Sequence, residues 1–120
     1  MLSEFQFIEK IQMYLPTVGS EVLCGIGDDC AVLSKNDDEV LLVTTDSLIE
    51  GVHFDLSYTS FIDLGKKALS VNLSDIAAMA GRPRYLTVAL TLPATCPDLE
   101  QSLEQFYLGF TQCARAFGAE

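Results

Sequence analysis

Basic residues are scarce in this sequence, and nowhere do they cluster: seven lysines and arginines stand against 17 aspartates and glutamates, for a formal charge of −10. That balance repels a nucleic-acid backbone or an anionic membrane, so neither is an expected partner. No uncharged apolar run approaches the roughly 20 residues of a membrane span. The opening residues, which include Glu4, Glu9 and Lys10, make a poor signal peptide, and a cytoplasmic location is expected. The four cysteines, Cys24, Cys30, Cys96 and Cys113, show no zinc-like pairing. A cytosolic origin also argues against a disulfide framework, so they are expected to be small buried thiols. Repeats and low-complexity linkers are missing as well. What remains is a 120-residue chain with 49% hydrophobic and 20% charged residues, one ordinary globular domain's worth of polypeptide.

The elements can be read in order. Ser3-Glu4-Phe5-Gln6 has the pattern of a capping box, and Phe5, Ile8, Ile11 and Leu15 follow at nearly helical spacing until Pro16, which should end the first helix. Strand character is expected from Glu21 to Ile26, again from Cys30 to Leu33, and from Val40 to Thr45. The polar turn Asn36-Asp37-Asp38-Glu39 should fold the third of these back on the second. A long helix is expected from Ser60 to Ala80, stopped by Gly81. Tyr85 to Leu92 reads as a strand, and a last helix, capped by Asp98 with Gln101, should run to Phe117 and end at Gly118. Strands, helix, strand and helix in that succession imply an α/β or α+β sandwich.

Three stretches could carry chemistry. In Gly25-Ile-Gly-Asp-Asp29 the glycines permit tight turning and close approach to an anion, and Asp28 and Asp29 need not share one ligand; a plain surface turn is the competing reading. Thr44, Thr45 and Asp46 stand at the end of a buried-looking strand, a set of hard oxygens suited to Mg²⁺ with substrate phosphates; strand-end capping is the alternative. On the long helix, Asp75 is the sole charged residue from Ala68 to Gly81, so the face around it should be buried and the carboxylate should need a cation; a structural bond to backbone or to Lys67 is the alternative. Asn72 lies three residues earlier on the same face. His53, the only histidine, closes the loop after Glu50-Gly51-Val52, where contact with a substrate phosphate suits it better than a metal site built from hard oxygens; a structural hydrogen-bonding histidine is the alternative.

Taken together, Gly25-Ile-Gly-Asp-Asp-Cys-Ala31, Thr44-Thr-Asp-Ser-Leu-Ile-Glu-Gly-Val-His-Phe54, Lys67-Ala-Leu-Ser-Val-Asn-Leu-Ser-Asp-Ile-Ala-Ala-Met-Ala80 and Leu86-Thr-Val-Ala-Leu-Thr-Leu-Pro93 resemble the N-terminal half of the thiamine-monophosphate kinase family. That family lies in the superfamily of aminoimidazole ribonucleotide synthetase, selenophosphate synthetase and a hydrogenase maturation factor. The resemblance implies an α/β (α+β) N-terminal domain with a mixed sheet packed by helices and a homodimer formed through the sheet. It also implies transfer of the ATP γ-phosphoryl group to thiamine monophosphate with the help of Mg²⁺. By the same resemblance Asp29, Thr44, Thr45, Asp46 and Asp75 match magnesium ligands, with Asp46 and Asp75 central to catalysis. His53 matches the thiamine-phosphate contact and Tyr107 an ATP contact, while Asp28 and Asn72 fall inside matched motifs without an assigned role. No Walker A loop is present.

The family continues into a further strand bearing a Gly-Gly-Asp-Thr-like motif and then into a second domain. Residues 1–120 are therefore expected to form an ATP- and Mg²⁺-binding N-terminal domain cut before its last strand, inactive alone. Two rivals remain: another ATP-using member of the superfamily, and a non-catalytic acidic domain that binds divalent cations or a partner protein. Selenophosphate synthetase is disfavoured because no reactive Cys or Lys pair precedes the Gly-Ile-Gly-Asp-Asp motif.

Overall fold

A computed structural model describes residues 3–92 and 98–120, so Cys96 and the connection at 93–97 lie outside the described residues. Six elements follow one another: α1 (Glu4–Gln12), β1 (Val22–Cys24), β2 (Ala31–Ser34), β3 (Val40–Val43), α2 (Phe61–Ala78) and α3 (Leu99–Phe117). They fall into two compact units. One comprises the chain up to Thr45 together with Asp75–Gly81, and the other Asp46–Ser74 together with Arg82–Glu120.

In the first unit α1 starts as its sequence dictates. The Ser3 hydroxyl accepts from the Gln6 N–H at 3.3 Å and the Gln6 side chain accepts from the Ser3 N–H at 3.0 Å, a reciprocal capping box. The helix stops at Gln12 instead of at Pro16. Pro16 has no N–H to give the Gln12 carbonyl and its ring crowds that oxygen, so the last turn tightens. The N–H groups of Tyr14 and Leu15 accordingly donate to Ile11 and Gln12, three residues back, at 3.0 and 3.3 Å.

The sheet has the order β1-β2-β3 and is antiparallel throughout. Its β2–β3 hairpin is set by a local device. The Asn36 side-chain oxygen accepts from the N–H groups of Asp38 and Glu39 at 3.0 and 2.9 Å, closing the turn expected there. From that turn the register runs Ser34↔Val40 to Ala31↔Val43, while the β1–β2 register shifts between Val22 and Cys24. Cys30, immediately before β2, is the buried side chain of this unit at 2% exposure.

The end of α2 also belongs here. Gly81 donates to Ile76 O at 2.8 Å and Ala80 to Ala77 O at 2.9 Å, the paired bonds of a Schellman cap. The left-handed residue is Ala80, with φ 54°, and not the glycine. Gly81 is needed for space, because a Cβ there would stand 2.5 Å from Leu42 Cδ1 on β3.

The core of the second unit is the α2–α3 contact. Leu64 and Leu69 of α2 bury against Phe106, Phe110 and Ala114 of α3, with Leu48, Phe54 and Leu86 packed around them. Two glycines let the helices touch at backbone distance. A Cβ on Gly65 would fall 2.0 Å from the Phe106 carbonyl oxygen, and one on Gly109 would fall 1.9 Å from that of Ile62. Gly118, at φ 71°, ends α3 as expected.

Two expectations fail in this unit. Asp98 occupies the N-cap position of α3, but its left-handed backbone (φ 50°) leaves the side chain without a capping bond. Residues 81–92 form no strand. Extended chain becomes strand only when a neighbour pairs with it, and here the pairing is confined to the segment's start: Glu120 N–H donates to Arg84 O at 2.8 Å and Leu86 N–H to Glu120 O at 3.0 Å. The α+β class is as expected. Among the described residues, however, the sheet is antiparallel where a mixed one was anticipated. No helix among the described residues is long and apolar enough to cross a membrane.

Candidate functional site

Register explains how the first unit gathers its oxygens. Because Ala31 pairs with Val43, continuing each strand by one residue sets the Asp28-Asp29-Cys30 segment and the Thr44-Thr45 segment at the same end of the sheet. The Thr44 hydroxyl then donates to Asp75 Oδ2 at 2.7 Å, joining the end of β3 to the last turn of α2 across 31 residues of sequence. Gly27, at φ 125°, turns the chain into the acidic pair, and Gln12 Nε2 holds the Ile26 carbonyl at 2.9 Å. Asp28 is partly committed, accepting from the Asp29 N–H at 3.0 Å.

Cys30 registers this crowding of negative charge. Burial pushes its thiol pKa up, and the carboxylates of Asp75, Asp29 and Asp28 raise it further. Three acidic side chains from two separate stretches therefore act on one sulfur atom. Cys30 is a small buried thiol, as expected, and Cys24 and Cys113 are free and half-buried.

Asp75 differs from its expected setting. It is half-buried, its neighbours Ala77 and Ala78 are exposed, and its partner is the Thr44 hydroxyl. Alanine methyl groups are too small to close a helix face over a carboxylate. Lys67 instead donates to the carbonyl of His53. Asn72 is engaged with its own helix, donating to Ala68 O at 3.0 Å.

In the second unit, Asp46 is exposed and leads into a self-bonded loop. His53 N–H donates to Ile49 O at 2.9 Å, and Gly51 N–H, at a left-handed φ of 76°, donates to Phe54 O at 2.7 Å. The Ile49 N–H donates to His53 Nδ1 at 3.0 Å, and the imidazole is exposed. Next along the chain, the Ser57 hydroxyl and then the Ser57 N–H hold the Asp55 carboxyl below its usual range. Tyr107 is 41% exposed and rests edge-on against Phe106, with ring centroids 5.3 Å apart.

The anticipated residues thus divide. Thr44 and Asp75 are bonded in the first unit, with Thr45 adjacent in the chain and Asp28 and Asp29 at the same end of the sheet, whereas Asp46, His53 and Tyr107 belong to the second. The donor chemistry of the first group, carboxylates and a hydroxyl, fits Mg²⁺. Among the described residues no three His, Cys, Asp or Glu side chains are grouped so as to hold a metal by themselves. The role of Lys67 had no local signal, since 14 residues separate it from His53.

Comparison with known proteins gives concordant results. The family described as AIR synthase related protein, N-terminal domain, matches residues 27–120. The thiamine-monophosphate kinase of Escherichia coli (strain K12) is 46% identical over 104 residues, covering 86% of this chain and 30% of that protein. That of Bacillus subtilis (strain 168) is 40% identical over 98 residues, covering 82% of this chain and 30% of the relative. The crystal structure of thiamine-monophosphate kinase from Stenotrophomonas maltophilia K279a superposes with a TM-score of 0.63 at 42% identity, covering 98% of this chain and 36% of that one. The chain therefore spans about a third of the length of the relatives it matches.

Proposed function

Since the chain belongs to the AIR synthase related protein family as its N-terminal domain, we propose that in a protein of its relatives' length it serves ATP-dependent phosphorylation of thiamine monophosphate to thiamine diphosphate. The observation that carries this reading is the Thr44–Asp75 bond, which joins the strand-end motif to the helix motif at the end of the sheet that the Asp28-Asp29 segment also occupies. The names of the similar proteins supply the substrate.

Asp29, Thr44, Thr45, Asp46 and Asp75 would hold Mg²⁺, with substrate oxygens and waters completing its coordination. When bound, the metal would neutralise the mutual repulsion of two polyphosphates in a chain poor in basic residues. An oxygen of the thiamine phosphate attacks the γ-phosphorus, the bond to the ADP oxygen breaks, and thiamine diphosphate and ADP separate. The attacking oxygen is already anionic, so the protein needs no strong general base, and positioning carries the catalysis. His53 would donate to the acceptor phosphate and Tyr107 would contact the nucleotide. We place the protein in the cytoplasm as a homodimer in which segment 85–92, without a strand partner beyond Leu86 among the described residues, pairs with its copy.

A product assay with ATP, Mg²⁺ and thiamine monophosphate on the full-length protein tests the activity. Turnover is expected there, and Asp46→Asn should lower it by about two orders of magnitude or more while the melting temperature holds. Near-normal turnover of that variant at saturating Mg²⁺ would sink the metal assignment. Sedimentation at tens of micromolar should show a dimer, and a strict monomer would contradict the pairing of 85–92.

A further inference from the structure

The loop that presents His53 is fastened at two points, and the chemistry of the fastening bears on the imidazole. A backbone N–H can only donate, so the bond from Ile49 N–H to His53 Nδ1 at 3.0 Å requires Nδ1 to be the unprotonated nitrogen of the neutral ring. The ring proton then sits on Nε2. An exposed Nε2–H on a loop is a donor without acceptor capacity, which suits a phosphate oxygen and does not suit a cation. That tautomer is the sole one only while Ile49 and His53 keep their spacing; without the bond the ring reverts to a mixture.

Two contacts from α2 and its core hold the loop there. Phe54, the next residue, packs against the Leu64–Phe110 core, and the Lys67 ammonium donates to the His53 carbonyl itself. Lys67 stands on α2 between the buried residues Leu64 and Leu69, so its stem rises from a fixed base. Its neighbour Lys66 does something else, lying 3.9 Å from the carboxylate of Asp63 on the same helix. Of the two adjacent lysines, one therefore neutralises a helix carboxylate and the other reaches across to a carbonyl.

We infer that Lys67 is a positioning residue for the acceptor substrate: by holding the His53 carbonyl it fixes the loop 49–54 in the form that keeps the His53 proton on Nε2, turned into a donor for the phosphate of thiamine monophosphate. The inference rests on His53 being the thiamine-phosphate contact. It adds that specificity for that phosphate depends on a lysine which itself binds the backbone. A charge-assisted hydrogen bond to a carbonyl is strong enough to select one loop conformation, and its loss frees the Ile49–His53 spacing.

The test uses the full-length protein and three variants, Lys67→Met, Lys67→Arg and His53→Gln. In the long-range proton–nitrogen correlation spectrum the imidazole of the unaltered protein should show the single Nε2–H tautomer. Lys67→Met should give a mixture of tautomers and raise KM for thiamine monophosphate about tenfold, the effect of one such bond, with kcat, KM for ATP and melting temperature little changed. Lys67→Arg, which restores a cationic donor, should recover both readouts. An unmixed Nε2–H tautomer in Lys67→Met would overturn the proposal. A raised KM in His53→Gln with an unchanged one in Lys67→Met would overturn it alone. An unchanged KM in His53→Gln would bring down the substrate role of His53 and this proposal with it.

Discussion

Asp75 shows how one hydrogen bond changes what a residue is expected to do. An unpaired buried carboxylate would destabilise the metal-free protein, but Asp75 is half-buried and receives the Thr44 hydroxyl at 2.7 Å, so without metal it is a satisfied group. Asp75→Asn keeps an oxygen that can accept from Thr44 and removes only the charge. Its melting temperature without Mg²⁺ should therefore match the parent's, and the gain that Mg²⁺ gives the parent should largely vanish. Thermal melts with and without the ion decide it, and an equal Mg²⁺ shift in both proteins would reduce Asp75 to a structural partner of Thr44. Asp55 offers a pH signature. Held below its usual carboxyl range by Ser57, it contributes stability that is fully present above its unfolded pKa of about 3.9 and is lost as pH falls through the lower folded value. Asp55→Asn should thus lose less stability on acidification than the parent, and a carbon-detected titration of Asp55 with its midpoint at or above the ordinary value would refute this.

At the scale of elements, what could be read in advance was what a few neighbouring residues decide. The Ser3–Gln6 capping box and the Asn36 turn are closed by side chains within three residues of the backbone they bind, so pattern and structure agree. Tyr85 to Leu92 is apolar on alternate positions, and alternation says which residues share a face without supplying a neighbouring strand. Gly65 and Gly109 left no trace, because a glycine that admits a facing helix looks in sequence like any weak helix position. The candidate site divides the same way. Its oxygen-bearing residues stood out as motifs, while the Thr44–Asp75 bond, the burial of Cys30 and the Lys67–His53 contact needed the fold to bring distant residues together. The α2–α3 crossing yields a prediction of its own. A methyl group on Gly109 would sit 1.9 Å from a backbone oxygen that no side-chain rotation can move, so Gly109→Ala should cost about 3 kcal/mol by forcing the helices apart. Gly19→Ala, with nothing within 4 Å of its added carbon, should be within about 0.5 kcal/mol of neutral. Chemical denaturation of both distinguishes a general intolerance of added methyls from a constraint at the crossing.

At the scale of the whole molecule, the residues proposed for the reaction are parcelled between two compact units, and the similar proteins are about three times as long as this chain. Binding and turnover make different demands on such an arrangement. A nucleotide can be retained through its metal by a few oxygens, and the first unit carries Asp29, Thr44 and Asp75. Phosphoryl transfer requires donor and acceptor to be held in line at near-contact distance, and the effective concentration that makes it fast falls steeply when either is loosely held. Residues 1–120 by themselves should accordingly bind ATP weakly, only with Mg²⁺ present, and form no measurable thiamine diphosphate, whereas a chain of the relatives' length should turn over. Calorimetry with ATP, with and without Mg²⁺, and a product assay on both lengths measure the two halves of this prediction. Metal-independent nucleotide binding would remove the acidic cluster from the site. Steady turnover by residues 1–120 would mean that every group the reaction needs is already among them, and that the groups holding donor and acceptor in line are others than those named here.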